Sequence, residues 1–340
     1  MIEVKNICVK YTKNKLALDN ISFTMKPGTF NSLVGPSGCG KTTMLKILAG
    51  FLEPSEGEII IDGKDITKSA IQDRGTAMVF QNYALWPHMT IFENVAYGLK
   101  LKKLPKEEID KKVKNILDIV EIDYEISKIR KPGELSGGQQ QRIALARALV
   151  VEPKILLMDE PLSNLDAKVR QRLRIEIRQI QQKLGVTAVY VTHDQEEAMS
   201  MSDQVIVMNN GVIAQTGSPK EVYTKPKNSF VAEFLGHSNV LKGKAQNKQL
   251  YILEEPIMKT DLNDSEVKII IRSEDIHFEQ ISDKNIKLNA KIKDYMYSGN
   301  YYRYLVEVKG QELFVDSQIE IEDKNVILYI EEKSVYAFPL

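Results

Sequence analysis

One stretch of this sequence decides the fold: Gly35-Pro36-Ser37-Gly38-Cys39-Gly40-Lys41-Thr42. It matches the phosphate-binding pattern G-x-x-x-x-G-K-[ST], in which glycines let backbone N–H groups turn inward around phosphates. The stretch from Phe30 to Val34 is interpreted as a strand before it, and apolar residues with helical spacing follow it as far as Gly50. Because strand, loop and helix occur in the order that the pattern requires, the stretch predicts a nucleoside triphosphate site.

The residues of this loop have different expected roles. The helix that follows presents its positive N-terminal end to the phosphates. Lys41 is expected to bridge the β- and γ-phosphates, and Thr42 to ligate Mg²⁺. Cys39 is interpreted as a small filler. The nucleotide-contacting set predicted here is Gly35, Pro36, Ser37, Gly38, Cys39, Gly40, Lys41, Thr42 and Thr43.

Strand-like and helical patterns alternate through most of the chain. Ile155 to Met158 and Val186 to Val191 are short, continuous apolar runs, typical of strands that are buried on both faces. Amphipathic helices are predicted over about 105–120, 139–150 and 167–184. Such alternation predicts an α/β fold with a mainly parallel sheet covered by helices, which with the phosphate loop indicates a P-loop NTPase.

The pattern changes after about Gly236. Residues 240–340 contain several short strand-like runs and no long amphipathic helix, which predicts a separate, mostly β domain and a small barrel. The expected domains are therefore 1–236, with a helical subdomain at about 82–150, and 237–340.

An acidic pair, Asp159-Glu160, ends the buried strand at 155–158. Asp159 can hold Mg²⁺ through water, and Glu160 is placed to polarise an attacking water. An acid pair can also simply cap a turn, but the phosphate loop upstream favours the catalytic interpretation.

A second Gly-rich stretch, Leu135-Ser136-Gly137-Gly138-Gln139, precedes a predicted helix. It supplies a second anion-binding helix N-terminus. One nucleotide does not need two such loops from one chain. The stretch therefore predicts a site in which Ser136, Gly137, Gly138 and Gln139 cover the γ-phosphate bound by another copy.

In these motifs the chain resembles the ATP-binding cassette (ABC) ATPases. Leu135 to Gln139 matches the ABC signature sequence. The resemblance implies that Tyr11 stacks on adenine and that Gln81 senses the metal and the γ-phosphate. It also implies that Ser163-Asn164-Leu165-Asp166 is the D-loop, which places Asp166 at the nucleotide site, and that His193 contacts the γ-phosphate.

The inferred mechanism follows from this resemblance. Two chains bind ATP and Mg²⁺ and close face to face as a homodimer, with Thr42, Gln81 and Asp159 expected around the metal. Water attacks with Glu160 as base while His193 holds the γ-phosphate. Such sites act by positioning and charge stabilisation.

The rest of the chain resembles the importer type of ABC ATPase. Glu221-Val222-Tyr223 and the segment to Gly236 resemble the exit from the ATPase domain. Ile271-Arg272-Ser273-Glu274-Asp275 resembles a motif of the OB-like TOBE domain, with Ser273 replacing the usual Pro. The resemblance implies an ATPase at the cytoplasmic face of the membrane, serving separate permease subunits and, indirectly, a substrate-binding protein. The TOBE domain is expected to act in regulation or dimerisation.

Composition supports this partner-dependent role. Lys plus Arg and Asp plus Glu are both 46, which gives no electrostatic reason to expect nucleic-acid binding. The two cysteines, Cys8 and Cys39, form no metal-ligand spacing. No apolar run approaches the ~20 residues that span a bilayer, so any membrane role must come through a partner.

We expect residues 81–97 to contact the permease subunits. Trp86 is the only tryptophan and lies there in a stretch without core periodicity. Because interfaces favour Trp, we expect Trp86 to be an exposed apolar anchor. The alternative is that Trp86 packs inside the ATPase domain.

Two other classes remain as alternatives. A soluble ABC ATPase of DNA repair would carry long coiled coils, and one of translation would carry two cassettes. A P-loop kinase or GTPase would not need Leu135 to Gln139. The transported substrate is expected to be ferric iron or a polyamine such as spermidine or putrescine, from the resemblance of Ala84 to Thr90 and the short tail; sugar, phosphonate and sulfate remain alternatives.

Overall fold

The computed structural model describes residues 1–12, 15–282 and 285–340. Contacts divide the chain into two compact units, Met1–Val222 and Tyr223–Leu340.

The division between the units precedes the boundary that we expected at residue 236. The reason is local, because the helix Ser229–Phe234 contacts the strands Ser238–Gln246 and Ser265–Arg272, which belong to the second unit.

The first unit alternates strands and helices, as expected. In chain order its elements are β1 (Ile2–Thr12), β2 (Lys15–Met25), β3 (Phe30–Val34), α1 (Lys41–Ala49), β4 (Glu56–Ile61), β5 (Lys64–Asp65), β6 (Thr76–Val79), α2 (Ile91–Leu101), α3 (Lys106–Ile119), α4 (Tyr124–Ser127), α5 (Gly137–Leu149), β7 (Ile155–Asp159), α6 (Ala167–Leu184), β8 (Thr187–Thr192), α7 (Gln195–Met201), β9 (Gln204–Asn209) and β10 (Val212–Gly217). The helix α8 (Pro219–Thr224) follows at the division.

A six-stranded sheet in the order β10-β9-β3-β8-β7-β6 forms the centre of this unit. Its strands are parallel except β10, which pairs with β9 in a hairpin. In β7, Ile155 and Leu157 pack into the core that contains α1, whereas Leu156 and Met158 pack into the core that contains α2, α3 and α5. Both faces of the sheet are therefore buried, which explains the continuous apolar runs.

A smaller antiparallel sheet, in the order β2-β1-β4-β5, shares the core of α1. On the other side, α2, α3, α4 and α5 lie within the range 82–150 where we expected a helical subdomain.

Helix ends follow the sequence signals. Gly185 ends α6 with a left-handed backbone at φ 62°, which glycine adopts without strain. Asp194 caps α7 by accepting from the backbone N–H of Glu197. The spacing of Asp194 and Glu197 also predicts a capping box, but its reciprocal half is wrong, because the backbone N–H of Asp194 donates to Thr192 Oγ1. The Glu197 carboxylate instead accepts from the hydroxyls of Tyr190 and Thr192.

The second unit is mostly β, as predicted. Its elements are α9 (Ser229–Phe234), β11 (Ser238–Gln246), β12 (Gln249–Ile252), β13 (Glu255–Lys259), β14 (Ser265–Arg272), β15 (Ile276–His277), β16 (Asn285–Tyr297), β17 (Tyr302–Val308), β18 (Gln311–Ser317), β19 (Asn325–Glu331) and β20 (Tyr336–Pro339). They form two antiparallel sheets, β13-β12-β11-β14-β20 and β15-β19-β16-β17-β18, around one core.

Ser273, which replaces the proline of the TOBE motif, makes two hydrogen bonds that stabilise the local turn. Its backbone N–H donates to His237 O at 2.8 Å, and its hydroxyl donates to Asp316 Oδ2 at 2.6 Å. Proline could donate neither bond, so this chain stabilises the turn by hydrogen bonding instead of ring rigidity.

Arg272 is fully buried at 1% exposure in the second unit. It donates to Leu235 O, Tyr223 O and the Tyr336 hydroxyl at 3.2, 2.7 and 3.2 Å. Its guanidinium also lies 3.6 Å from the Tyr223 ring centroid. One cation therefore satisfies acceptors from three parts of the unit.

We predict that Arg272→Met destabilises the second unit by about 3 kcal/mol, since it leaves buried acceptors without donors. Calorimetric unfolding measures the effect. The control is Lys333→Met, which removes a surface ion pair with Glu331 and should leave the unfolding transition nearly unchanged. Equal unfolding temperatures and unfolding enthalpies for the two variants would contradict this role of Arg272.

Candidate functional site

The candidate site lies where four neighbouring parallel strands end. The loops that follow β3, β8, β7 and β6 leave the same edge of the sheet, because the carboxyl ends of parallel strands meet there. These loops carry the phosphate loop, His193, Glu160 and Gln81 respectively. The sheet topology therefore gathers residues that are far apart in sequence.

The phosphate loop connects β3 to α1 and depends on its glycines. A Cβ on Gly35 would lie 2.2 Å from Met208 O, so no side chain has room there. Gly38 and Gly40 have φ values of 80° and 109°, in the left-handed region that glycine favours. Lys41 Nζ donates to the carbonyls of Gly35 and Pro36 at 2.8 and 2.9 Å, which places the cation inside the loop.

The other residues of this loop lie in the same turn. Ser37 and Gly38 are exposed, whereas Cys39 is buried beside Lys41. Burial raises the pKa of the Cys39 thiol, which keeps it neutral. Thr42 and Thr43 lie in the first turn of α1.

Thr42 and Asp159 bring two oxygens together next to the loop. Thr42 Oγ1 donates to Asp159 Oδ1 at 3.2 Å, across the ends of α1 and β7. Burial raises the pKa of the Asp159 carboxyl, with the neighbouring charge of Glu160 also raising it. A partly buried carboxylate of this kind is stabilised by a bound cation.

Glu160 and His193 form the second pair of the site. His193 Nδ1 lies 3.2 Å from Glu160 Oε1, and the His193 side chain is 57% exposed. Glu160 has φ 43°, a left-handed conformation that is uncommon for a residue with a Cβ. Its backbone N–H donates to Val191 O at 3.0 Å, which ties this conformation to β8. Strain of this kind is common at functional positions.

Gln81 and the D-loop are connected to this pair by hydrogen bonds. Gln81 Nε2 donates to Ser163 Oγ at 3.1 Å, and Ser163 Oγ donates to Glu160 O at 2.9 Å. Asn164 Nδ2 donates to Gln81 O at 3.0 Å. The structure thus joins Gln81, the D-loop and Glu160 within one chain.

The signature stretch forms the N-terminus of α5. Ser136 caps this helix, and Ser136 and Gln139 bond each other reciprocally in a capping box. A Cβ on Gly137 would lie 2.8 Å from the Leu165 side chain, and one on Gly138 would lie 3.3 Å from Val169. The two glycines therefore let α5 approach the D-loop and α6 closely, while Ser136 stays exposed.

Asp166 and Tyr11 are the remaining predicted site residues. Asp166 caps α6 by accepting from Val169 N at 3.0 Å. The side chain of Tyr11 lies outside the described part of the chain.

Sequence reasoning missed the residues that hold the turn of His193. Glu197 is 3% exposed and accepts from Tyr190 and Thr192 at 2.8 and 2.7 Å. Arg174 of α6 donates to Asp194, the neighbour of His193, at 2.8 Å. The only sequence signal was the spacing of Asp194 and Glu197, which we interpreted as a helix cap.

Trp86 is half-buried, so the prediction that its side chain is exposed was wrong in degree. Its ring lies 4.4 Å from that of Tyr97 and 4.9 Å from the guanidinium carbon of Arg147. Asn94, fully buried, accepts from Trp86 N and donates to Trp86 O. The tryptophan is thus fixed by α2 and α5 and presents only part of its ring.

Across residues 1–12, 15–282 and 285–340, no helix is long and apolar enough to cross a membrane. The same residues contain no group of three or more His, Cys, Asp or Glu side chains arranged to hold a metal ion.

Comparison with family models identifies both units. Residues 18–163 match the model described as ABC transporter, and residues 269–327 match the model described as TOBE domain.

Curated relatives match over nearly the whole chain. The Fe(3+) ions import ATP-binding protein FbpC of Pasteurella multocida (strain Pm70) is 43% identical, over 98% of this chain and 96% of that protein. The spermidine/putrescine import ATP-binding protein PotA of Borreliella afzelii (strain PKo) is 44% identical, over 93% of this chain and 92% of that protein.

Solved structures match about two thirds of the chain. CbiO1 of Clostridium perfringens, part of the ABC transporter complex cbiONQ, is 32% identical with a TM-score of 0.61 and covers 66% of this chain and 90% of that one. The dimeric ATP-binding cassette MJ0796 bound to ADP and Pi is 33% identical with a TM-score of 0.56. The match covers 64% of this chain and 99% of that one. The chain belongs to the ABC transporter family and is an ATPase subunit of the importer type.

Proposed function

We propose that this chain hydrolyses MgATP in a homodimer and transmits the resulting motion to permease subunits that import ferric iron or a polyamine. One observation carries the catalytic part of the proposal: Glu160 and His193 lie in contact at the sheet edge that also carries the phosphate loop. Hydrolysis needs a proton acceptor and a residue that contacts the γ-phosphate, and both must lie beside the phosphate loop.

The residues around Thr42 suit Mg²⁺. The chain offers a hydroxyl and a carboxylate, and Mg²⁺ commonly keeps several waters and binds substrate phosphates besides one or two carboxylates. We assign Thr42, Asp159 and Gln81 as the residues that would hold the metal. When bound, the ion supplies positive charge to the phosphate oxygens.

ATP binding is assigned to the phosphate loop and to Tyr11. In this structure Lys41 donates to two loop carbonyls, and those bonds can be exchanged for bonds to phosphate oxygens without moving the backbone. The N-terminus of α1 favours the same negative charge. Tyr11 is assigned to the adenine ring through the family resemblance.

Hydrolysis is assigned to Glu160, His193 and Gln81. Glu160 accepts a proton from the attacking water, and His193 orients the γ-phosphate and the Glu160 carboxylate that it contacts. The Gln81 amide donates a hydrogen bond to Ser163, and Ser163 donates one to the backbone carbonyl of Glu160. A movement of Gln81 toward the γ-phosphate can therefore change the position of the base. These roles are positioning and charge stabilisation.

The second half of each site is assigned to another copy of the chain. Ser136 is exposed at the N-terminus of α5, a helix of 13 residues with orphan N–H groups for an anion. Ser136, Gly137, Gly138, Gln139 and Asp166 form this half. The dimeric form of a cassette relative supports the arrangement.

The permease contact is assigned to residues 81–97. Trp86 and Tyr97 form an aromatic pair there, and Tyr97 is 37% exposed. This contact would place the chain at the cytoplasmic face of the membrane. Domains of about 1–236 and 237–340 then correspond to hydrolysis and to regulation or dimerisation, and we expect no nucleic-acid partner.

Relatives named for ferric iron and for spermidine/putrescine are almost equally similar, at 43% and 44% identity. Both cargoes are cations that a separate binding protein would deliver. Uptake of labelled Fe³⁺, spermidine and putrescine by cells with and without the chain tests the assignment. A defect confined to a sugar, phosphonate or sulfate would overturn it, and no uptake defect would favour a soluble ABC ATPase.

The base assignment gives a first prediction. Glu160→Gln removes a proton acceptor without changing shape, so ATP binding should persist while turnover falls by about 100-fold or more. Phosphate release and equilibrium nucleotide binding measure the two quantities. Glu134→Gln, on an exposed acid of the same type, is the matched control and should behave as wild type. Turnover of Glu160→Gln close to wild type would exclude Glu160 as the base.

The two-chain site gives a second prediction. Ser136→Arg should stop hydrolysis because it disrupts the half-site that covers the γ-phosphate bound by the other copy. Mixing Ser136→Arg with Lys41→Ala should restore part of the hydrolysis, since a heterodimer contains one site in which the phosphate loop and the signature stretch are both intact. Normal hydrolysis by Ser136→Arg alone would exclude a shared site.

The permease contact gives a third prediction. Trp86→Ala should weaken assembly with the membrane subunits by ~2 kcal/mol if Trp86 is a hot spot. Its loss of folding stability should stay below the ~3–5 kcal/mol of a fully buried tryptophan, because the ring is half-buried. Pull-down and melting curves measure both, with Ile175→Ala as a control on an exposed apolar residue outside this segment. Unchanged assembly of Trp86→Ala would show that the permease contact does not depend on Trp86 and lies elsewhere.

A further inference from the structure

The segment between Gln81 and Trp86 contains an unusual turn. Tyr83 and Ala84 have φ values of 63° and 48°, two consecutive left-handed residues of which neither is glycine. Side chains with a Cβ disfavour this region, so a neighbouring group must hold the turn. Short backbone bonds close it, from Tyr83 N to Phe80 O at 2.9 Å and from Ala84 N to Asn82 O at 2.7 Å.

Arg147 is the side chain that holds this turn. Its two terminal nitrogens donate to Ala84 O at 2.6 Å and to Tyr83 O at 2.8 Å. The guanidinium plane also lies over the Trp86 ring at 4.9 Å. The planar fork of arginine suits two carbonyls that a left-handed turn directs to the same side. Burial lowers the pKa of Arg147, whose partners here are neutral groups.

Both ends of the segment are fixed to other elements. Gln81 is bonded to Ser163 and Asn164 of the D-loop, and Trp86 is bonded to Asn94 of α2. Arg147 itself belongs to α5, which begins at the signature stretch. The turn at Tyr83–Ala84 is therefore the point where the segment depends on α5.

We propose that Arg147 is a positioning residue that holds the Tyr83–Ala84 turn in its left-handed form and so makes Gln81 and Trp86 move as one rigid segment. This inference rests on the proposed function, in which Gln81 responds to MgATP. Without Arg147 the turn relaxes to a right-handed or extended backbone, and a change at Gln81 no longer reaches Trp86.

Ala84 offers a way to separate this role from simple packing. Glycine adopts positive φ without strain, so Ala84→Gly stabilises the turn independently of Arg147. Ala84 is exposed and loses only a methyl group in this change. A glycine at position 84 removes the steric cost of the left-handed backbone there, but it cannot replace the contact between Arg147 and Trp86.

Trp86 emission provides the readout, because it is the only tryptophan of the chain. The experiment uses full-length Glu160→Gln protein, with nucleotide binding measured separately by equilibrium dialysis of MgATP. We expect MgATP to change Trp86 emission in this background. The change should disappear with Arg147→Ala, although MgATP still binds, and should return when Ala84→Gly is added.

Arg147→Lys is the second variant, for the case that Arg147→Ala does not fold. Lysine keeps the charge but lacks the fork, so it should also lose the emission change and regain it with Ala84→Gly. In chains with Glu160 intact, both Arg147 variants should lower kcat about tenfold, the scale of a modest misplacement, with KM for ATP within about twofold.

Three results would overturn the inference: an emission change that persists without Arg147, a bound nucleotide with no emission change in the Glu160→Gln background, or no recovery with Ala84→Gly in a folded, ATP-binding protein. Failure of the Glu160→Gln protein to bind MgATP would instead contradict the proposed function. The two failures are thus distinguishable.

Discussion

The parallel alignment of β3, β6, β7 and β8 is the constraint on which the rest of this molecule depends. Parallel strands end at one edge, and their pairing in the order β3-β8-β7-β6 fixes the spacing of the loops that follow. The phosphate loop, Glu160, His193 and Gln81 all lie in those loops. No single motif supplies a complete site, and the sheet brings the motifs together.

This constraint also explains where strain and burial occur. Glu160 keeps a left-handed backbone because its N–H donates a hydrogen bond to the neighbouring strand, and Asp159 keeps a partly buried carboxyl to which Thr42 donates. Each arrangement is unfavourable by itself and is maintained by a rigid sheet on two packed cores. Charge from Mg²⁺ and from phosphates would act on groups that are already in place.

Much of this was predictable from the sequence because the signals were local. The glycines of the phosphate loop, the apolar run of β7 and the Gly-rich stretch from Leu135 to Gln139 each act within a few residues. Long-range partners were not predictable. Arg147 and Arg174 are two of many cations on amphipathic helices, and nothing in their spacing shows that one holds the turn after Gln81 and the other holds the turn of His193. The half-burial of Trp86 likewise depends on its contacts with α2 and α5. The strands β11, β12 and β13 could not be predicted because their sequences lack a strong alternation of apolar and polar residues.

The most direct measurement of the shared nucleotide site is a cross-linking experiment on one chain that carries Ser37→Cys and Ser136→Cys, with Cys8 and Cys39 replaced by serine and Glu160 by glutamine. Both introduced positions are exposed, one in the phosphate loop and one in the signature stretch. With a short thiol cross-linker and MgATP, we expect a product of twice the mass of the chain, formed only when nucleotide is present. A product of single-chain mass, with the two cysteines joined within one copy, would contradict a site assembled from two chains.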